Sequence, residues 1–161
     1  MALLLRPATA ADRPALIEQE LLLNLFEDAI AHDRSLDRAG AGAAIDRLFE
    51  RIAGCDGAVI VAERDGAVIG HMFLVFDRMG PYVRDDMRDY ALVADMFVRA
   101  AYRGQGVAQA LLAEAERLAT ARGVPRLMIG VLAGNDRAER IYRHYGFTPY
   151  ALELAKPLPR Q

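Results

Sequence analysis

The spacing of apolar positions changes several times along the chain, and each change predicts a new element. Apolar residues recur every three or four positions after Pro14 and again after Asp37, which is typical of helices that bury one face. Runs rich in valine, isoleucine and other apolar residues follow, and they favour strands. The predicted strands cover residues 2–6, 57–64, 67–76, 91–98, 126–133 and 147–154, and the predicted helices cover residues 14–33, 37–52, 105–122 and 136–145. This order predicts a mixed α/β domain.

Local signals mark the ends of some of these elements. Thr9 or Asp12 suits the N-cap of the first helix, and Pro14 suits its first turn. Between the second and third predicted strands, Asp65-Gly66 is a tight-turn sequence that tolerates positive φ. The apolar runs on either side therefore form a predicted β-hairpin.

Composition narrows the class of protein. With 161 residues and 53% hydrophobic positions, the chain predicts one globular domain over residues 1–161. A net charge of -2 argues against a nucleic-acid binder or a membrane-surface binder, which would carry a basic face. Cys55 is the only cysteine, and the three histidines show no metal-ligand spacing, so neither a disulfide nor a metal is expected. We expect a cytoplasmic protein with no leader or membrane span.

Two glycines precede the third predicted helix, in the stretch "YRGQGVAQALL". A helix N-terminus attracts anions, and Gly104 and Gly106 would let a phosphate approach its backbone, with Arg103 as a charged donor. A purely structural turn is the alternative. A dinucleotide fingerprint fails because Gln109 stands where a third glycine belongs. A nucleoside-triphosphate loop fails because Gly-Lys-Ser/Thr is absent. The pattern that fits is Arg-x-x-Gly-x-Gly/Ala, ending at Ala108.

From Ala94 to Phe147 the chain resembles the Gcn5-related N-acetyltransferases (GNATs). The resemblance rests on a strand, Arg-Gly-x-Gly-x-Ala, a helix, a second strand, and then Asn, Ala, Tyr and Gly-Phe at matching intervals. It implies a GNAT fold, with a mixed central sheet that splays between its fourth and fifth strands and has helices on both faces. It also implies that acetyl-CoA, as co-substrate, lies in the wedge between those strands.

The resemblance assigns parts of the wedge to parts of acetyl-CoA. Backbone N–H groups from Gly104 to Ala108 would hold the pyrophosphate, and the main chain of Met96 to Val98 would pair with the pantetheine arm. The cofactor-binding positions that it implies are Met96, Phe97, Val98, Arg103, Gly104, Gln105, Gly106, Val107, Ala108, Asn135 and Tyr142.

Two residues are candidates for proton transfer. The family's usual tyrosine matches Tyr142, which would protonate the leaving thiolate; its helical spacing also suits a plain core residue. Asp95 is the candidate base, although an aspartate in a strand could equally orient the substrate. Several relatives have a glutamate before this aspartate, and here that position is Ala94. Asp136 and Glu139 are interpreted as a capping box.

The acceptor is the least defined part. A primary amine of a small molecule or peptide is the acceptor that the resemblance implies, a homodimer is left open, and the alternative function is a non-catalytic acyl-CoA-binding module. Acidic residues are frequent in the first helix and in the loop over 77–90. They form either a solvated surface or a lure for a cationic amine. These acids are Glu18, Glu20, Glu27, Asp28, Asp33, Asp77, Asp85, Asp86 and Asp89. His71 and His144 are interpreted as ordinary residues.

Overall fold

A computed structural model describes residues 2–159, and its centre is a five-stranded sheet in the order β1-β2-β3-β4-β5. The strands are β1 Leu4–Pro7, β2 Ala58–Arg64, β3 Ala67–Arg78, β4 Asp89–Val98 and β5 Leu127–Ile129. The helices are α1 Arg13–Ala31, α2 Arg38–Cys55, α3 Val107–Arg122 and α4 Asp136–Tyr145. The ladders are antiparallel except for the parallel pair β4–β5, which confirms the predicted mixed sheet. No helix described over residues 2–159 is long and apolar enough to cross a membrane.

Two apolar layers cover opposite faces of the sheet, because its strands alternate their side chains between the faces. On one face, α3 buries Leu111 and Ala115 against Met72 and Leu74. On the other face, α1 and α2 bury another cluster around Phe73; its other buried members are Leu16, Ile17, Ala41, Ile45, Val59 and Val61. The prediction of helices on both faces is therefore confirmed.

The β2–β3 hairpin turns at the predicted residues. Asp65 has a φ of 55° and Gly66 a φ of 77°. Positive φ at both central positions is the signature of the two-residue turn whose twist matches a hairpin.

β4 contains a bulge at Ala94. In the β3–β4 ladder, Phe73 faces Asp95 and Leu74 faces Val93, so Ala94 is an extra residue with no partner on β3. An extra residue bends its strand and interrupts the alternation of side chains between the two faces.

The bulge decides which face receives Asp95. Before it, Ala91 and Val93 pack on the α3 side of the sheet; after it, Met96 and Val98 do so. The change from odd to even positions turns Asp95 away from α3 and towards α1. A strand without the bulge would place this carboxylate in the apolar α3 layer.

The sheet opens directly after the same point. β4 and β5 pair from Ala91 with Leu127 to Val93 with Ile129, and the ladder stops there. The predicted strand over 126–133 is therefore cut to three residues, because β4 bends away at Ala94. The predicted splay between the fourth and fifth strands is confirmed.

The prediction of a last strand over 147–154 is wrong. This segment forms no ladder with any part of the chain over residues 2–159. Leu152 and Leu154 are 79% and 84% exposed. Alternating apolar residues predict a strand, but a strand also needs a neighbour to pair with, and the short β5 is not paired with this segment.

Candidate active site

The opening between β4 and β5 is a cleft of about 1010 Å³. It is lined by α1, the second half of β4, the start of α3, the loop after β5, and α4. Among the predicted site residues, those that line it are Asp95, Met96, Phe97, Val98, Arg103, Gly104, Val107, Ala108, Asn135 and Tyr142. Gln105 and Gly106 do not, so the structure brings most of the predicted site together and leaves these two beside it.

The start of α3 forms one end of the cleft. Gly106 is the N-cap residue, with a φ of 81°, and Gly104 has a φ of 73°. Ala110 donates to the carbonyl of Gly106, so the N–H groups of Val107 and Ala108 precede the first bond of the helix and are open to a ligand. The glycines are required here because other residues disfavour this left-handed conformation.

Gln105 turns outwards from this loop. Its side-chain oxygen accepts from Arg64 at 2.6 Å, and its nitrogen donates to the carbonyl of Ala101 at 3.0 Å. Its side chain therefore holds the loop in place, and only its backbone remains for the predicted cofactor role.

The same end of the cleft is basic. Arg103 donates to the carbonyl of Val98 at 2.8 Å and lies over the ring of Phe97. Burial, and then the neighbouring Arg137, lower the pKa of Arg103. Among residues 2–159, Arg137 and Arg140 form no salt bridge, and both line the cleft. Cations without carboxylate partners beside open backbone N–H groups fit the phosphates of coenzyme A.

Asn135 serves first as the cap of α4. Its side-chain oxygen accepts from the N–H of Ala138 at 3.2 Å, while the residue also lines the cleft. The interpretation of Asp136 and Glu139 as a capping box is wrong, because Asn135 is the N-cap residue. Glu139 bonds to Arg143 instead.

Tyr142 faces the cleft from α4. Its ring packs edge-on against Phe147, with 6.1 Å between the ring centres. Burial, and then the charges of Asp95 and Glu27, raise the pKa of Tyr142 to about 12. The phenol therefore keeps its proton at neutral pH and can donate it. Tyr145 points elsewhere and donates to Glu116 at 2.8 Å.

Asp95 has a partner that was not expected from the sequence. His71 Nε2 lies 3.1 Å from Asp95 Oδ1, and His71 Nδ1 lies 2.8 Å from Gln19 Oε1. The Gln19 nitrogen donates to the carbonyl of Val68 at 2.9 Å. His71 is fully buried and has a partner at each ring nitrogen, whereas the sequence analysis assigned it none. The signal was a titratable side chain inside the apolar run over 67–76, which needs a buried partner.

Sequence reasoning named Glu20 only as one of several acids of the first helix and gave it no role of its own. It is only 7% exposed and lines the cleft, whereas Leu22 and Leu25 on the same helix are 40% and 49% exposed. Its carboxyl group lies close enough to that of Asp95 for the two to interact. Burial, and then the charge of Asp95, raise the pKa of Glu20 to about 9. For Glu20 the interpretation as a solvated helix face is therefore wrong.

The acidic loop between β3 and β4 stays outside the cleft. Arg78 pairs with Asp85 at 2.6 Å and with Asp89 at 2.7 Å, and Arg84 lies 3.6 Å from Asp86. These arginines neutralise the acids locally. The loop therefore gives no support to the lure hypothesis, and the acids that line the cleft are Glu20, Glu27, Asp95 and Glu153.

Comparison with protein families matches this architecture to one family. The model of the acetyltransferase (GNAT) family matches residues 23–147. An uncharacterized N-acetyltransferase of Mycobacterium bovis is 27% identical over 139 residues, which cover 86% of this chain and 83% of that protein. A Mycobacterium tuberculosis protein of the same description matches equally well.

Solved structures share the fold. A mutant of the BH1408 protein from Bacillus halodurans superposes with a TM-score of 0.82 at 17% identity, covering 97% of this chain and 99% of that one. The aminoglycoside N-acetyltransferase AAC(6')-Iy in complex with CoA gives a TM-score of 0.75 at 16% identity, covering 98% and 95%. At these identities the likeness concerns the fold alone.

Proposed function

This chain belongs to the acetyltransferase (GNAT) family and is an N-acetyltransferase, and from that premise we propose that it transfers the acetyl group of acetyl-CoA to a primary amine of a small molecule or peptide. The amine attacks the thioester directly, without an acylated enzyme. The observation that carries the proposal is the cleft at the β4–β5 split, which has unpaired cations at one end and a phenol with two carboxyl groups farther in.

The basic end suits the phosphate groups of the co-substrate. Val107 and Ala108 would donate backbone N–H groups, and Arg103 and Arg137 would supply charge. Beyond the bulge, no strand over residues 2–159 pairs with Met96 to Val98 on the β5 side, so apart from the carbonyl of Val98, which accepts from Arg103, this backbone can bond to a ligand like the edge of a sheet. When bound, acetyl-CoA supplies an activated acyl thioester.

Tyr142 is the proposed acid. Because the pKa of Tyr142, about 12, is higher than that of an ordinary thiol, about 8.5, complete transfer of its proton to a thiolate is uphill, and the protonated phenol acts instead by donating a hydrogen bond to the sulfur as negative charge develops there. The half-buried ring of Tyr142 and its hydroxyl group have separate roles. The ring closes the cleft against Phe147, and the hydroxyl group, which has no hydrogen-bond partner among residues 2–159, remains for the reaction.

Asp95 belongs to the proposed acceptor side. The hydrogen bond from His71 and the charge of that imidazole lower the pKa of Asp95, in opposition to its burial. An ionised carboxylate here favours a cationic amine over a neutral or anionic acceptor. The aminoglycoside acetyltransferase of the same fold was solved with a bisubstrate analogue made of CoA and acetylneamine, an amine-bearing acceptor.

A thiol-release assay tests this function. The protein is incubated with acetyl-CoA and, separately, with putrescine, kanamycin, free amino acids and a lysine-containing peptide, and the free thiol is followed with time. We expect release that depends on one class of amine. Binding of acetyl-CoA without release for any amine in the panel would favour the non-catalytic acyl-CoA-binding module.

A further inference from the structure

The orientation of Gln19 fixes one proton in the buried cluster. The carbonyl oxygen of Val68 can only accept, so the group of Gln19 that faces it is the NH₂ group. The oxygen of Gln19 then faces His71 Nδ1 at 2.8 Å and can only accept as well. His71 therefore carries a proton on Nδ1 in every protonation state that keeps this bond.

A second proton lies between His71 and Asp95. Because Nδ1 is protonated, Nε2 either carries a further proton and donates it to Asp95, or is bare and accepts one from Asp95. Without any proton in the 3.1 Å gap, a lone pair would face a carboxylate oxygen. The imidazolium–carboxylate form agrees with the lowered pKa of Asp95.

A third proton lies between Glu20 and Asp95. Two carboxyl groups can share a hydrogen bond only if one of them is protonated. The Oε2 atom of Glu20 is buried with no donor among residues 2–159, which is costly for an ionised oxygen. Protonation of Glu20 removes that cost, because the neutral group donates to Asp95 instead.

From this geometry we infer that Glu20 and Asp95 form one proton-accepting pair for the acceptor amine, with Glu20 as the catalytic residue that meets the amine. His71 and Gln19 are positioning residues, which hold Asp95 by its other side. The inference rests on the proposed function. It assigns the general base, for which the glutamate of several relatives is replaced here by Ala94. In this chain, the glutamate comes from α1 rather than from β4.

The proton step balances within the pair. In its deprotonated form Glu20 has lost the shared proton, and both carboxyl groups are ionised. An alkylammonium gives up one proton, whose N–H bond breaks as an O–H bond forms on Glu20. The nitrogen keeps the electron pair and becomes the nucleophile. The proton later leaves to water when the product amide has departed.

The strength of the base matches its task. A free alkylammonium has a pKa near that of lysine, about 10.4, and proton transfer is efficient when donor and acceptor are close in pKa. A Glu20 carboxyl group with a pKa of about 9 is far closer to that value than an ordinary carboxylate. The charged or titratable groups near Glu20 or Asp95 are Glu27, Arg34, His71 and Tyr142.

Glu20→Gln is the decisive variant. The amide keeps the volume and can still donate to Asp95, but it cannot accept a proton. With the best amine of the panel, we expect turnover to fall roughly 10²–10⁴-fold. The rise of turnover with pH that deprotonation of Glu20 causes should disappear, while the affinity for acetyl-CoA should stay unchanged. Glu18→Gln is the matched control, since Glu18 lies two residues away on α1, pairs with Arg99 and does not line the cleft.

A second measurement is independent of turnover. The side-chain carboxyl groups of the wild-type protein are labelled with ¹³C and titrated by NMR. We expect one glutamate to titrate near pH 9, and its signal to be lost in Glu20→Gln. If Glu20 titrates like an exposed carboxylate, or if Glu20→Gln keeps wild-type turnover and pH profile, the inference is overturned. A wild-type protein that acetylates no amine but shows the raised titration would refute the proposed function and leave the coupled pair without a catalytic role.

Discussion

Gln19 Oε1 and His71 Nδ1 are 2.8 Å apart, and both side chains are fully buried. Leucine has a volume similar to that of glutamine, but Gln19→Leu leaves the Nδ1–H of His71 without a partner, whereas the carbonyl of Val68 still accepts from Arg99 at 3.2 Å. A buried polar group without a partner costs roughly 1–3 kcal/mol. We therefore expect the free energy of unfolding, measured in urea, to fall by about 1–3 kcal/mol.

Leu22→Gln is the control for Gln19→Leu. Leu22 is on the exposed side of the same helix, so the substitution should change the free energy of unfolding by no more than about 0.5 kcal/mol. An equal loss in both variants would mean that the hydrogen bonds of Gln19 add nothing to stability.

The cofactor loop is tested with two glycines of similar conformation. Gly106 has a φ of 81° and Gly66 a φ of 77°, and neither has a neighbour that a Cβ would meet. A glutamate at either position strains the backbone by roughly 1–2 kcal/mol. Only Gly106→Glu places a carboxylate beside the proposed pyrophosphate site.

Acetyl-CoA should raise the melting temperature of the wild-type protein and of Gly66→Glu, because it binds only the folded state. The same ligand should leave Gly106→Glu unchanged. If acetyl-CoA raised the melting temperature of Gly106→Glu as much as that of the wild type, the placement of the phosphates at the start of α3 would be contradicted.

The acid is tested with two tyrosines of α4. Tyr142→Phe should lower kcat roughly 10²–10⁴-fold while the acetyl-CoA dissociation constant stays the same, because only the hydroxyl group is removed. In Tyr145→Phe, which loses a hydroxyl group bonded to Glu116 outside the cleft, kcat should be unaffected. Equal rates in both variants would return Tyr142 to a packing role.

Glu20 should also leave a signature in the stability of the folded protein. Its pKa is raised from 4.5 to about 9 on folding, so between these values the native state holds a proton that the unfolded chain has lost. The stability of the wild type should therefore fall as pH rises through this window, by up to about 1.4 kcal/mol per pH unit. Glu20→Gln should lack this slope, and parallel curves from pH 5 to 9, measured by urea unfolding, would contradict the raised pKa.

Asp12 shows the opposite sign. Its hydrogen bonds from Arg6, followed by those from Thr9, lower the pKa of Asp12. The side chain is 7% exposed, so the pair is largely shielded from water. Asp12→Asn should cost about 1.5–3 kcal/mol at neutral pH, and the difference from the wild type should shrink as pH falls below about 4, where the unfolded carboxylate takes up a proton while the folded one stays ionised.

Asp46→Asn is the control for this pH dependence. Asp46 pairs with Arg13, but both side chains are about half exposed, so the loss should stay below about 1 kcal/mol. A loss as large as that in Asp12→Asn would show that burial does not decide the strength of these pairs.

The parts of the site that the sequence predicts well are those set by local chemistry. Gly106 caps α3 and Asp65-Gly66 closes the hairpin, because positive φ restricts the choice of residue at each position. Tyr142 was found through the resemblance, and its helical spacing agrees with the side of α4 that lines the cleft.

The parts that it does not predict depend on contacts between distant elements. The sequence alone would place Leu22 in the interior and Glu20 in solvent. The packing of α1 against β3 and β4 instead buries Glu20 and leaves Leu22 partly exposed. The segment over 147–154 fails for the same reason, since its apolar alternation says nothing about whether Leu152 finds a strand beside it.

Ala94 has no functional group, yet the site depends on its presence. One residue more in β4 than in the facing stretch of β3 both ends the pairing with β5 and turns Asp95 towards Glu20. What matters at this position is that a residue is present, not which side chain it carries. An alanine scan passes over it by construction, whereas a scan of single-residue deletions would detect it. An insertion or deletion within β4 would therefore disrupt this site without changing any of its functional residues.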